Sequence, residues 1–164
     1  MFEAIVGAII GGLLGLFAGA GTELVKSLNE RRGRYKSERL PAIPGFWRGG
    51  GKDTNVEGDH PLLAFSLALT FTVRGTKVRG TGEIDPAPAP GDKIPMQCEG
   101  GFVNDDYMQC FYRSKDRSRK QMGVIVFRLK GESNILVGYY AGLSPTRDAF
   151  VVGNVTLTRV ASSD

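Results

Sequence analysis

Hydrophobic and polar residues follow two different rhythms along the chain. From position 63 onward they alternate. Residues 64–73 place Phe65, Leu67, Leu69, Phe71 and Val73 on one face and Ala64, Ser66, Ala68, Thr70 and Thr72 on the other. A period of two marks a strand with one buried face. Read in the same way, the chain carries strands near 45–50, 63–73, 77–84, 94–103, 107–114, 121–130, 135–142 and 150–160. No helical pattern interrupts them. Eight consecutive strands with short connections predict an all-β, eight-stranded up-and-down barrel over residues 45–160.

Before position 26 the rhythm is that of a helix. No charged residue occurs from Ala4 to Thr22, and Gly7, Gly11, Gly15 and Gly19 recur at intervals of four. That spacing stacks the glycines on nearly one helix face. At about 1.5 Å per residue, the run with its flanks is long enough to cross a hydrocarbon core of roughly 30 Å. Six glycines between Gly7 and Gly21 would weaken a helix in water. In lipid they let a second backbone approach closely. The expectation is one N-terminal transmembrane helix over residues 1–25, with a glycine-zipper face that makes a homo-oligomer. A cleaved signal peptide is the competing reading, because Ala18-Gly19-Ala20 has the form of a cleavage site. The opening Met1-Phe2-Glu3 lacks the positive charge such peptides carry.

Charge changes the picture next. Residues 26–44 form a basic linker in which Lys26, Arg31, Arg32, Arg34, Lys36 and Arg39 outweigh Glu30 and Glu38. The excess equals the net +4 of the whole 164-residue chain. The basic character therefore belongs to the juxtamembrane segment, which argues against a DNA- or RNA-binding domain. Cations after the span and none before it place the C-terminal domain in the cytoplasm of a single-pass inner-membrane protein. Cys98 and Cys110 are then expected as thiols. One histidine, His60, and no CxxC spacing argue against a protein-built zinc site, and no metal site or cofactor is expected. No GxSxG or other catalytic constellation occurs, so the expectation is a non-enzyme. Gly49-Gly50-Gly51-Lys52 lacks the spacing of a phosphate loop and reads as a turn.

In an up-and-down barrel, successive connections alternate between the two ends. Segments 51–62, 85–93, 115–120 and 143–149 then share one end, an open mouth, and the tight turns at 74–76, 104–106 and 131–134 share the other. The inward sets are mostly apolar: Ile125, Phe127 and Leu129, then Val155 and Leu157. The polar-tipped exceptions are Cys110, Tyr112 and either Tyr139 or Tyr140. At the mouth, Arg113, Lys115, Arg117, Arg119 and Lys120 are opposed within their loop only by Asp116. This cluster is either a solvated hairpin loop or a cradle for a phosphate-bearing ligand, since arginine forks match phosphate oxygens. The candidate ligand-binding set is Tyr112, Arg113, Lys115, Arg117, Arg119 and Tyr140.

Gly45-Phe46-Trp47-Arg48-Gly49 carries the GxWxG pattern of lipocalin-like barrels, and the last strand ends at Arg159. The chain resembles that group at both ends of its barrel. The resemblance implies that Arg159 packs across Trp47 and closes the base, a cation–π contact. The combination of apolar N-terminal segment, basic linker and small barrel resembles the membrane-anchored β-barrel effectors of bacterial CBASS anti-phage systems. Those effectors usually have two transmembrane helices, and here one is found. The resemblance implies a barrel that binds a cyclic dinucleotide, oligomerises and disrupts the inner membrane. A membrane-tethered carrier of an apolar small molecule is the alternative that the apolar inner faces favour.

Overall fold

The computed structural model describes residues 35–87, 91–116, 118–130, 134–144 and 148–161. The apolar run 1–25, with Gly7, Gly11, Gly15 and Gly19, lies outside the described residues. Among those described, no helix is long and apolar enough to cross a membrane.

Eight antiparallel strands follow one another around a closed barrel. They are β1 (Gly45–Val56), β2 (Ala64–Arg74), β3 (Lys77–Pro86), β4 (Ile94–Phe102), β5 (Tyr107–Ser114), β6 (Met122–Lys130), β7 (Ile135–Leu143) and β8 (Phe150–Arg159). Each pairs with its successor, and β8 returns to β1. Closure leaves no open sheet edge. Alternation decides which side chains enter. Leu67, Leu69 and Phe71 of β2, Ile125, Phe127 and Leu129 of β6, and Val155 and Leu157 of β8 are all buried in one core.

Seven strands lie within two residues of their expected bounds, and β1 does not. It continues to Val56, and Gly49-Gly50-Gly51-Lys52 is mid-strand rather than a turn. Gly51 pairs with Phe65 of β2 and with Val155 of β8. A Cβ on Gly49 would lie 2.0 Å from the Thr156 carbonyl oxygen, and one on Gly51 would lie 2.3 Å from the Phe65 ring. These glycines are strand residues because neighbouring backbone and an aromatic ring occupy the space of their side chains. A register shift between Asp53 and Asn55 then bends the end of β1.

The same device recurs around the wall. Phe65, Phe71, Tyr112, Phe127 and Tyr140 lie opposite Gly51, Gly80, Gly123, Gly138 and Gly153 on adjacent strands. A Cβ on any of these glycines would come within 2.3–2.8 Å of its partner's side chain. An eight-stranded barrel has room for little more than its own side chains. Laying each large ring across a glycine is how this one accommodates five of them.

The tight-turn end is sealed. A one-turn 3₁₀ helix, Leu40–Ala42, crosses it, and Leu40 and Ile43 are buried beneath the strands. The Trp47 indole N–H donates to the Ile43 carbonyl at 2.8 Å. The Arg159 guanidinium carbon stands 5.6 Å from the Trp47 ring centroid, and the same guanidinium donates to the Pro44 carbonyl. Arg39 donates to the Leu129 carbonyl at 3.1 Å and pairs with Asp106 at 3.3 Å. The packed unit thus includes residues before Gly45, from the buried Ser37 onward.

Candidate functional site: a cavity at the loop end

The opposite end is not filled. A cavity of about 70 Å³ opens there, walled by the ends of strands β1, β3, β5 and β7 and the starts of β2, β4, β6 and β8. That is room for about two waters, at roughly 30 Å³ of liquid volume each. Its apolar wall includes Phe65, Leu67, Ile84, Ile94, Met96, Ile125 and Val155. Five polar side chains interrupt it: Asp53, Tyr112, Gln121, Tyr140 and Ser144.

Asp53 is brought inside by phase. It follows Trp47, Gly49 and Gly51 at intervals of two on β1 and is 3% exposed. Its carboxylate accepts the Tyr140 hydroxyl at 2.5 Å and the Leu63 backbone N–H at 3.0 Å. The Asp53 N–H in turn donates to the Leu63 carbonyl at 2.8 Å. The carboxylate is therefore clamped to the start of β2, and the Tyr140 ring is oriented. Phe65 meets that ring edge-on, with centroids 5.5 Å apart.

Tyr112 enters from the end of β5 and lies across Gly123 and Gly142, with its hydroxyl 2.4 Å from where a Gly142 Cβ would stand. Burial pushes its phenol well above the ordinary range, and the negative charge of Asp53 adds to the shift. Tyr112 thus stays a neutral hydrogen-bonding group at any physiological pH. Gln121 sits just before β6 with its backbone fixed at both ends. Its N–H donates to the Arg119 carbonyl at 2.8 Å, and its carbonyl accepts the Ser114 N–H at 2.9 Å. The side chain is 6% exposed, and its Oε1 has no hydrogen-bond partner. Such a buried unmade bond costs about 1–3 kcal/mol.

Of the candidate ligand-binding set, Tyr112 and Tyr140 meet at this cavity. Tyr139, the alternative to Tyr140, points outward and is 64% exposed. Arg113 faces outward on β5 opposite Gln97 of β4, and Lys115 is exposed in the following loop. Arg119 donates to both carboxylate oxygens of Asp92, at 2.7 and 2.9 Å, and lies 3.6 Å from Asp116. Lys120 stands 4.0 Å from Asp148. Arg117 lies outside the described residues. No lysine or arginine is among the described residues that wall the cavity. Among the described residues there is also no cluster able to hold a metal ion.

The sequence reading missed Asp53 and Gln121. Asp53 had a usable signal, since it keeps the inward phase of Trp47, but three glycines and a lysine read as a loop. Gln121 had none, because a polar residue after a basic loop carries no periodicity.

No family model and no curated protein matches the chain. Solved structures do. A redesigned beta barrel, mFAP1, bound to DFHBI, superposes with a TM-score of 0.56 at 11% identity, over 75% of this chain and 100% of that one. A second redesigned beta barrel, b11L5F_LGL, gives 0.54 at 13%, over 76% and 97%. At these identities the likeness establishes the fold alone, an eight-stranded up-and-down barrel.

Proposed function

We propose that the protein is a membrane-anchored receptor whose barrel binds a small molecule in the loop-end cavity. In this reading residues 1–25 hold the chain in the inner membrane, and the basic linker lies against its cytoplasmic face. The ligand is a cyclic nucleotide, as the resemblance to the CBASS effectors implies. Its binding drives assembly through the face of Gly7, Gly11, Gly15 and Gly19, and the assembled helices disrupt the membrane in anti-phage defence. A ligand can do this only if it favours the assembled state over the free one.

The observation that carries the receptor reading is the cavity itself. A structural barrel gains nothing from an apolar cavity that holds a buried acceptor without a donor, because both are costs to folding. A pocket with apolar walls and a few convergent polar groups is the usual form of a small-molecule site. The sealed base supports the same view, since it leaves the loop end as the entrance. That a barrel of this fold can carry a ligand, DFHBI, is further support.

Calorimetry of the full-length chain in detergent micelles tests the reading, with cyclic dinucleotides, cyclic mononucleotides and a fatty acid as probes. Saturable binding of a cyclic nucleotide is expected. Binding of the fatty acid alone would replace the receptor with the carrier of apolar molecules, which the aliphatic wall favours. Heats indistinguishable from buffer across the panel would remove both.

A further inference from the structure

We propose that the cavity receives an uncharged ring edge bearing an N–H donor, and that Gln121 is the residue that reads it. The proposal rests on the receptor reading above and specifies which part of a ligand goes in. A nucleotide would enter base first and leave its phosphates outside the barrel.

Three observations point the same way. Gln121 Oε1 is an acceptor, almost fully buried, at the wall of the cavity, and unpartnered. Its backbone is pinned by two hydrogen bonds, so the side chain cannot withdraw into the loop without breaking the start of β6. An acceptor held in this way selects for a donor, because a ligand without one leaves the buried oxygen unpaired. A ligand N–H supplies the bond that the buried oxygen lacks.

The wall also excludes charge of one sign. Among its described residues there is no lysine or arginine. A phosphate drawn inside would lose its hydration and meet no cation there. The exposed cations, Arg113 and Lys115, lie outside the wall on the β5 strand and its loop. A flat ring is the shape the interior suits. Phe65 and Tyr140 form an edge-to-face corner, and Tyr112 adds a second aromatic surface with a neutral hydroxyl. At about 70 Å³, the space is about half of what encloses a benzene ring, so it admits the edge of a ring and leaves the rest of a nucleotide outside.

Fragment binding tests this without any phosphate. The probes are benzimidazole and 1-methylbenzimidazole, which differ in the single N–H, measured against the full-length chain by ligand-detected NMR. We expect benzimidazole to bind about tenfold more tightly, the upper range for one neutral hydrogen bond. In Gln121→Met the preference should vanish while the methylated probe binds as before. The same variant should melt no lower than the parent, because Met has similar volume and leaves no buried acceptor unpaired. Equal affinity of the two probes would overturn the proposal, as would a preference that survives in Gln121→Met. A fall in melting temperature of more than about 4 °C would mark Gln121 as structural and overturn it too. Absence of binding by either fragment also counts against it. Failure of the receptor reading looks different: benzimidazole binds with the expected preference, and no cyclic nucleotide binds at all.

Discussion

The two ends of this barrel use aromatic side chains in opposite ways. At the base, Trp47 is fully buried and its one side-chain polar group is matched. Its N–H meets the Ile43 carbonyl, and Arg159 lies over its face while bonding Pro44. At the mouth, Tyr112 and Tyr140 are nearly as buried, yet their hydroxyls face a cavity that also holds Asp53 and an unpaired Gln121 oxygen. One end is optimised for closure. The other retains polar groups that packing alone would discard. In a barrel with a continuous wall, that difference sets a closed end against an open one.

The comparison is most easily broken at the base. Trp47→Ala should cost about 3–5 kcal/mol in urea unfolding, as for other large aromatic truncations in cores. A loss under about 1 kcal/mol would mean that Trp47 does not hold the base closed.

At the mouth, Tyr140→Phe removes one donor from the Asp53 carboxylate and should destabilise the barrel by about 1–3 kcal/mol. Stability equal to the parent in the same urea assay would show that Asp53 is satisfied without it. The loss should exceed that of any single exposed charge but stay below that of Trp47→Ala.

Tyr112 sharpens the contrast through pH. Its folded-state pKa is raised by burial and then by Asp53. A group shifted in that direction contributes stability below its unfolded pKa of about 10 and loses it as pH climbs toward the folded value. Stability should therefore decline above about pH 10, and Tyr112→Phe should flatten part of that decline. Identical alkaline profiles for parent and variant would show that Tyr112 titrates as it does in the unfolded chain.

The smallest effect is expected on the basic loop. Lys115→Ala should change stability by less than about 0.5 kcal/mol, since surface substitutions away from special features rarely do more. It should also leave fragment affinity at the cavity unchanged. A tenfold or greater loss of benzimidazole binding (about 1.4 kcal/mol) would place the loop inside the site after all.

Strand order, the bounds of β2 to β8 and most of the inward set were legible because a half-buried strand has to alternate. Phe65, Leu67, Leu69, Phe71 and Val73 cannot exchange faces with Ser66 and Thr70 without exposing a whole row. The closing pair Trp47 and Arg159 was legible from a motif at one end of the barrel and an arginine at the other. The site was half legible. Two tyrosines could be placed inside by phase, but the basic loop between β5 and β6 drew attention to charge that lies outside the cavity wall. Arg119 is bound by Asp92, a residue 27 positions away on another loop.

What the sequence by itself determined is periodicity, and with it the barrel, its two ends and the polarity of its inner face. Periodicity is local: each residue's face follows from its neighbours two places away. Only the tertiary structure decided that three glycines and Lys52 continue β1, because the reason lies in a carbonyl of β8 and a ring of β2. It alone decided that Asp53 meets Tyr140, 87 positions apart. And it alone left Gln121 without a partner, since an unmade hydrogen bond is a property of everything that surrounds an atom, and no stretch of sequence contains those surroundings.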